Sequence, residues 1–356
     1  MLRFQAMAQA PLALVREVSR SFASAISAVP PDPRIDVTRA RAQHEAYAAA
    51  LAGLGLEVVR LPADEACPDC CFVEDTVVVG DDVAVLTRPG APSRRGEVDV
   101  VAAALAARVE LFRMDQPATL DGGDVLRLGK TFYVGMSERS NSAGVAYLRD
   151  VFGPRGYSVV PVAMPPGVLH LKTVCSPLSD DLVLVAEGTL PAGTFGPAHT
   201  LVVPRSEAPA ANAVAFGRAA LVASDGPLTA ALVAASGFRV VPVDTSELRK
   251  ADGALTCLSV PSEELDEGDL AGGALLVEAV AGPVGGQEGP VALALGAVEG
   301  DGAGVAPGPA DLDRDVGVLG EVQVPGRVLV DAGVGGDQEG AAVVDEVGQG
   351  HGARDA

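Results

Sequence analysis

The segment Phe72-Val-Glu-Asp-Thr-Val-Val-Val-Gly-Asp-Asp-Val-Ala-Val-Leu-Thr87 contains two apolar runs, one on each side of Gly80-Asp-Asp82. Runs rich in valine that flank a short Gly/Asp turn predict a β-hairpin. A helix is predicted from Ser93 onward, and a further strand over residues 109–114. The segment therefore opens a unit of two paired strands, a helix and another strand.

This unit recurs along the chain. Hairpins are predicted at residues 125–134 and 169–186, and helices at 36–52, 141–152 and 227–236. The rhythm repeats about five times with short connections, which indicates a compact α/β domain built of small sheets. A helix-free propeller or a simple dinucleotide-binding fold fits this rhythm less well. No Gly-x-Gly-x-x-Gly follows a strand and no P-loop is present, so a nucleotide cofactor is not expected.

Composition excludes several classes of partner. The net charge of −21 over 356 residues argues against binding to nucleic acid or to anionic membranes. The sequence has no run of 18 uncharged apolar residues and no signal-peptide layout, so neither a membrane span nor secretion is expected. Five cysteines is an odd number, which fits a reducing cytoplasm better than a disulfide framework.

The last part of the chain differs in composition from the rest. Residues 266–356 hold 17 Asp and Glu but only three Arg. After Ser262 every residue is one that a codon beginning with G or C can encode, which is typical of a GC-rich gene translated out of frame. We therefore predict a catalytic domain at 1–262 and, at 263–356, an acidic Gly/Ala/Val-rich tail that is disordered or a frameshift product. A genuine acidic extension is the alternative.

Acidic residues interrupt apolar runs at two places. Glu74 and Asp75 are adjacent within a predicted strand, where neighbours face opposite sides, so one of them should point inward. Asp121 and Asp124 flank two glycines, which let a backbone or ligand approach closely. An inward carboxylate needs a cationic partner. Each of these acids has a plainer interpretation, that of a turn residue capping backbone amides.

The candidate cations and the histidine are similarly ambiguous. His170 has leucine on both sides in a predicted strand and is either a core histidine or a functional one. Arg94 and Arg139 are suited to bind a carboxylate, although isolated arginines are usually solvated. The small polar stretch around Phe22 is predicted either as a loop over a site or as an ordinary surface loop.

Asp252-Gly-Ala-Leu-Thr-Cys-Leu258 places Cys257 in an apolar run after a turn signal. A cysteine in such a context is most often a small buried hydrophobe. Cys67-Pro-Asp-Cys70-Cys71 contains a C-x-x-C, but a structural zinc site needs a second ligand pair, for which the sequence offers poor candidates. No metal is therefore predicted.

Together these residues suggest one reaction. Paired carboxylates facing a single site repel each other unless the ligand is cationic. A guanidinium, which is planar and carries several N–H donors, would satisfy both. A thiol beside it suggests nucleophilic attack on the guanidinium carbon, with the histidine as acid and base.

The same residues resemble the dimethylarginine dimethylaminohydrolase family. The resemblance runs in order from about residue 10 to 260, and it rests on five motifs: Phe72-Val-Glu-Asp-Thr-Val77, Thr87-Arg-Pro-Gly-Ala-Pro-Ser-Arg94, Leu120-Asp-Gly-Gly-Asp-Val125, Leu169-His-Leu-Lys172 and Asp252-Gly-Ala-Leu-Thr-Cys257. It implies the amidinotransferase fold, a pseudo-symmetric five-bladed α/β propeller of ββαβ modules around a channel. It also implies catalysis without metal or organic cofactor, in a cytoplasmic enzyme that is a monomer or homodimer and whose partner is a small molecule.

The resemblance further implies roles for individual residues. Cys257 would be the nucleophile and His170 the acid and base. Asp75 and Asp121 would hold the guanidinium, and Asp252 would lie near the same group. Asp121 is also counted among the catalytic residues. Four residues would hold the amino-acid end of the substrate: Asp69, Glu74, Arg94 and Arg139. Phe22 would lie in the lid.

The implied reaction is hydrolysis of Nω-methylated arginine to citrulline through a covalent cysteine intermediate. An arginine deiminase-type hydrolase is an alternative, although no helical insertion typical of that enzyme is present. A second alternative is a catalytically impaired guanidino-binding protein. That alternative is motivated by Pro261, which is expected to shorten the last strand because proline cannot donate to a sheet ladder.

Overall fold

The structure is a computed structural model that describes residues 11–81 and 83–262. This part of the chain contains 15 strands and four α-helices. The strands are β1 Leu12–Arg16, β2 Glu57–Leu61, β3 Val77–Val79, β4 Val83–Leu86, β5 Glu110–Arg113, β6 Val125–Leu128, β7 Thr131–Met136, β8 Ser158–Ala163, β9 Cys175–Ser179, β10 Leu182–Ala186, β11 His199–Val203, β12 Val214–Phe216, β13 Ala219–Ala223, β14 Arg239–Val243 and β15 Ser259–Ser262. The helices are α1 Val37–Gly53, α2 Val98–Leu105, α3 Ser142–Phe152 and α4 Pro227–Ala235.

The strands form five three-stranded sheets of one design. In each sheet the first and middle strands are antiparallel, and the middle and third strands are parallel: the orders are β3-β4-β5, β6-β7-β8, β9-β10-β11, β12-β13-β14 and β15-β1-β2. The last sheet joins the two ends of the described chain, since β15 supplies its first strand and β1 its middle one. The predicted mixed α/β fold is confirmed, and five sheets agree with five modules.

One module departs from the predicted ββαβ pattern. The parallel strands of four sheets are connected through α1, α2, α3 or α4. Between β10 and β11, by contrast, residues 187–198 form turns. Gly188 and Gly193 have positive φ values there, and Pro191 lies between them. Since proline and left-handed glycines do not continue a helix, this crossover cannot be helical.

The first strands of the five sheets share a common centre. A cavity of about 200 Å³ is lined by residues from β3, β6, β9, β12 and β15. The helices pack against the strands; for example, Phe152 of α3 is fully buried against Phe132 of β7. Burying an aromatic side chain of this size contributes about 1.5–3 kcal/mol. The segments that precede the first strands therefore converge at one end of this centre.

Two local predictions were wrong. Glu74 and Asp75 lie not in a strand but in a 3-10 turn, Val73–Thr76, and both carboxylates are buried. His170 also lies outside a strand, directly before the turn Leu171–Thr173 that leads into β9. A turn, unlike a strand, lets neighbouring side chains face the same region, which explains why both acids are inside.

The end of the described chain bears on the expectation for Pro261. Strand β15 extends through Pro261, which is aligned with Ala13 of β1. Because β15 is an edge strand, a proline there is tolerated. The predicted tail at 263–356 lies outside the described residues, and the domain boundary at 262 stays a prediction. Among the described helices, none combines the length and hydrophobicity required to cross a membrane.

Candidate active site

The segments before the first strands surround a cavity of about 540 Å³. Its lining includes seven of the ten predicted site residues, which come from all parts of the chain. They are Asp69, Asp75, Arg94, Arg139, His170, Asp252 and Cys257, with Asp121 directly behind His170. Three predicted residues, Asp121, Glu74 and Phe22, do not line this cavity.

Asp75 is at the base of the cavity and is ionised. Its Oδ2 accepts a hydrogen bond of 2.5 Å from Arg94 Nη1, and its Oδ1 accepts one of 2.8 Å from the backbone N–H of Gly123. Burial opposes ionisation, but the charges of His170 and Arg94 outweigh it and lower the pKa of Asp75 to about 2. A fixed carboxylate of this kind is suited to orient a cation.

His170 is buried among carboxylates. Its Nε2 lies 3.0 Å from Asp121 Oδ2, and its Nδ1 lies 4.0 Å from Asp75 Oδ1. Burial alone would lower its pKa, but Asp75, Asp121 and Asp124 raise it to about 9. The imidazole is therefore protonated at neutral pH in the empty site, as a general acid requires.

Cys257 is the partly exposed member of the chain's five cysteines; the other four are buried. Burial of its thiol, together with the negative charges of Glu74 and Asp75, raises the pKa of Cys257 well above its ordinary value. The thiol is therefore protonated in the empty site. A cationic ligand between Cys257 and Asp75 would reverse this effect, because a nearby positive charge favours the thiolate.

Among the described residues, one group has the spacing of a metal site. Asp75, Asp121 and His170 each offer a ligand atom, and these atoms lie within 4.8 Å of one another. Arg94 and the imidazolium already neutralise the two carboxylates, and Asp121 also accepts a 2.8 Å hydrogen bond from Gly90 N–H. We interpret the group as an acid–base unit, and the metal-free site stays a prediction.

The loop after β1 closes one side of the cavity, but not through Phe22. The Phe22 ring is fully buried in an edge-on contact with Phe72, with ring centroids 5.8 Å apart. The loop contributes Ile26, Ser27 and Ala28 to the cavity instead. Phe22 thus anchors the base of the loop to the core.

Two of the predicted substrate-binding acids contact this loop. Asp69 accepts a hydrogen bond of 3.0 Å from Ile26 N–H, and burial raises the pKa of its carboxyl group. Asp252 accepts a hydrogen bond of 2.6 Å from Ala28 N–H. It is the one described non-glycine residue with a positive φ, 56°. Both acids therefore connect the loop to the rim of the cavity.

The two predicted arginines differ in how far their charges are satisfied. The Arg94 guanidinium is 4% exposed and also binds Glu97 at 2.7 Å and the Phe72 carbonyl at 2.8 Å. Arg139 is more exposed, and its Nη1 lies 3.6 Å from Asp121 Oδ2. Arg139 is therefore the cation with more capacity to bind a ligand carboxylate.

Sequence reasoning missed several residues that support the site. Glu97 forms an ion pair with Arg94. Because the two residues are three positions apart, the sequence could have predicted this pair. Asp124 accepts hydrogen bonds from Ser140 and from the backbone N–H of Leu171, and it was given no role although it lies in the quoted Leu120–Val125 motif. Lys172 forms a 2.5 Å ion pair with Glu74, which explains why Glu74 is turned away from the cavity.

Several known proteins are similar to this chain in sequence and fold. The family model described as "N,N dimethylarginine dimethylhydrolase, eukaryotic" matches residues 30–194. The N(G),N(G)-dimethylarginine dimethylaminohydrolase of Streptomyces coelicolor is 41% identical over 256 residues, which are 71% of this chain and 97% of that protein. The enzyme of the same name from Pseudomonas aeruginosa is 35% identical over 229 residues, or 63% of this chain and 89% of that one.

A solved structure extends the similarity to three dimensions. It is a Cys→Ser variant of the Pseudomonas aeruginosa enzyme in complex with citrulline, and it superposes with a TM-score of 0.68 at 31% identity. The match covers 71% of this chain and all of that one. On these similarities and on its fold, the chain belongs to the dimethylarginine dimethylaminohydrolase family of hydrolases.

Proposed function

We propose that this protein hydrolyses Nω-methylated arginines, such as asymmetric dimethylarginine and monomethylarginine, to citrulline and dimethylamine or methylamine. The observation that carries the proposal is one cavity lined by a thiol, a protonated imidazole and an ionised carboxylate: Cys257, His170 and Asp75. The Streptomyces and Pseudomonas relatives bear the name of this activity.

The charges around the cavity favour a cationic substrate. Burial of the Cys257 thiol, together with the negative charges of Glu74 and Asp75, raises its pKa, so the thiol holds its proton until substrate binds and then releases it to water. A guanidinium bound to Asp75 would offset these charges and lower the pKa of the thiol. The nucleophile would then form only in the presence of substrate, which limits side reactions of the free enzyme.

In the first half-reaction the Cys257 thiolate attacks the guanidinium carbon. Asp75 orients the guanidinium through its N–H groups. The C–N bond to dimethylamine breaks as His170 donates its proton to the departing nitrogen, leaving an S-alkylthiouronium on Cys257. Asp121 keeps the imidazole in place through the 3.0 Å contact.

In the second half-reaction the neutral His170 takes a proton from water. The resulting hydroxide adds to the thiouronium carbon, and the C–S bond breaks. The Cys257 sulfur takes up the O–H proton of the departing urea group, so neutral citrulline leaves and the thiol is restored. His170 is then protonated again, as in the free enzyme. One water is consumed and one amine released per cycle.

At the other end of the substrate, the amino acid group requires complementary charges. Arg139 is suited to the α-carboxylate, and Asp69 to the α-ammonium. Arg94 is proposed to contribute to substrate binding indirectly, through its buried positive charge and through the ion pair that fixes the Asp75 carboxylate. The preference for a ligand with an α-carboxylate separates this site from one for decarboxylated arginine.

Substitution of the two central residues tests the proposal. Cys257→Ser and His170→Ala should each abolish citrulline formation from asymmetric dimethylarginine in a colorimetric assay, with a melting temperature close to that of the wild type. Cys67→Ser and His199→Ala are matched controls at residues that do not line the cavity, and both should keep wild-type activity. Turnover at the wild-type rate in either active-site variant would refute the roles assigned to them.

The substrate panel separates the alternatives. Asymmetric dimethylarginine, monomethylarginine and arginine are compared at equal concentration. Product from arginine alone would favour a deiminase, whereas saturable binding without product would indicate an impaired guanidino-binding protein.

A further inference from the structure

Each of the five sheets is preceded by a polar residue where its first strand begins. Asp75 and Cys257 stand two residues before β3 and β15, respectively. Asp121 and His170 precede β6 and β9 by four and five residues. The corresponding residue of the remaining sheet, two positions before β12, is Asn212, to which the proposed reaction assigns no role.

The Asn212 side chain is buried and fully hydrogen-bonded. Its Nδ2 donates to the Lys172 carbonyl at 2.7 Å and to Thr256 Oγ1 at 3.0 Å. Its Oδ1 accepts from the backbone N–H of Thr256 at 2.9 Å. One amide therefore connects the residue before Cys257 with the residue two positions after His170.

These contacts are part of a closed ring of four residues, which passes through the backbone carbonyl of Lys172. Thr256 Oγ1 donates to Glu74 Oε2 at 2.9 Å, and Glu74 Oε1 accepts from Lys172 Nζ at 2.5 Å. Glu74, Lys172 and Thr256 line the 200 Å³ cavity, whereas Asp75, His170 and Cys257, their close neighbours in sequence, line the 540 Å³ cavity. The ring, completed by Asn212, thus lies beneath the three reactive side chains.

We propose that Asn212 is a positioning residue of the reaction, which fixes Cys257 and His170 relative to each other through Thr256 and Lys172. This inference rests on the proposed function for its catalytic readout. A thiol and an acid from segments far apart in sequence need a common anchor, since small misplacements of reacting groups are costly. Asn212 reaches both segments with a single rigid amide.

Asn212→Ala should lower kcat about 10- to 100-fold with little change in KM. Gln43→Ala is the matched control, because Gln43 is also a buried amide that connects distant segments, through Ser246 and the backbone of Glu247. It should lower the melting temperature to a similar extent but leave kcat unchanged. Wild-type kcat in folded Asn212→Ala, or an equal loss in Gln43→Ala, would overturn the inference.

A second variant tests the connection through Thr256 without creating a cavity. Thr256→Val keeps the size of the side chain but removes the hydroxyl shared by Asn212 and Glu74, and it should also lower kcat. The double variant should lose no more than the larger single loss, as expected of residues that act as one unit. Additive losses would contradict the proposal. A fully active Thr256→Val would also contradict it, even if Asn212→Ala does not fold.

Alkylation of Cys257 by iodoacetamide, followed by mass spectrometry, makes the test independent of the substrate. Freeing Thr256 loosens the segment that carries the thiol, so Cys257 should react faster in Asn212→Ala and at the wild-type rate in Gln43→Ala. If wild-type protein makes no citrulline, the proposed function fails, and the alkylation rates still decide the role of Asn212. Equal rates in all three proteins would then refute it.

Discussion

His170 and His44 are both buried, yet their surroundings shift their pKa values in opposite directions. Carboxylates around His170 overcome the effect of burial and raise its pKa to about 9. His44 has no hydrogen-bond partner at Nε2 among the described residues, and burial, aided by the charge of Arg60, lowers its pKa to about 4. Nearby charge, rather than burial, therefore decides which histidine can act as an acid.

This contrast predicts two separate titrations. In NMR spectra of the free enzyme, the ring signals of His170 should titrate near pH 9, while His44 should stay neutral down to about pH 4. Because the folded pKa of His170 exceeds its unfolded value of about 6.5, its contribution to stability is complete below that pH and is lost as pH rises through 9. Assignment by His170→Ala completes the measurement, and a His170 midpoint at or below 6.5 would contradict the electrostatic account.

Single residues also show what sequence reasoning reached. It placed Asp75, His170 and Cys257 in one site because burying a polar group without a partner costs free energy, and because their motifs resemble those of one family. It could not show that Arg94 binds Glu97, or that Phe22 is buried against Phe72, since both contacts depend on the packing of turns. Asn212 lies two residues before the start of β12, and this position can be recognised as significant only when the five sheets are aligned.

The two glycines of the Gly122–Asp124 turn leave little space for a side chain. A Cβ on Gly123 would lie 2.7 Å from His170 Nδ1 and 2.8 Å from Asp75 Oδ1, while one on Gly122 would overlap the backbone carbonyl of Glu74. The turn can therefore approach the acid–base pair only because Gly122 and Gly123 have no side chains. The Gly123 N–H uses this proximity to bind Asp75.

Alanine substitutions at this turn should separate activity from stability. Gly123→Ala displaces two side chains and should lower kcat by about 100-fold, whereas Gly122→Ala forces the backbone apart and should destabilise the fold by about 1–3 kcal/mol. Gly53→Ala, at the end of α1 with open space around its Cβ, is the control and should be neutral in urea denaturation. Full activity in Gly123→Ala would show that the turn tolerates a methyl group and that the close approach is not required.

Helices were predicted to within about one residue where their caps are visible in the sequence. Asp36 and Asn141 each accept a hydrogen bond from the third residue after them, as capping residues do. The 3-10 turns that carry Glu74, Asp75 and the residues after His170 were predicted as strand. Their conformation depends on distant contacts, such as Thr87 Oγ1 to the Asp75 carbonyl, which no local pattern reveals.

For the molecule as a whole, the repeated unit was predictable because its hairpins and helices recur at similar spacing. The pairing of β15 with β1 was not, because the strands are about 250 residues apart and local periodicity carries no information on such contacts. That pairing places Cys257 in the same cavity as His170. The nucleophile is thus positioned by the contact that joins the two ends of the described chain.

This arrangement predicts how much of the chain catalysis requires. All the proposed catalytic and substrate-binding residues lie between positions 22 and 257, and β15 extends to Ser262. The Streptomyces relative is matched over 97% of its length by 256 residues of this chain. A protein of residues 1–262 should therefore form citrulline with the kcat and KM of the full-length chain. A protein of residues 1–256, which lacks Cys257 and β15, should be inactive. Loss of activity on removal of residues 263–356 alone would show that the acidic tail contributes to the site or to the stability of β15.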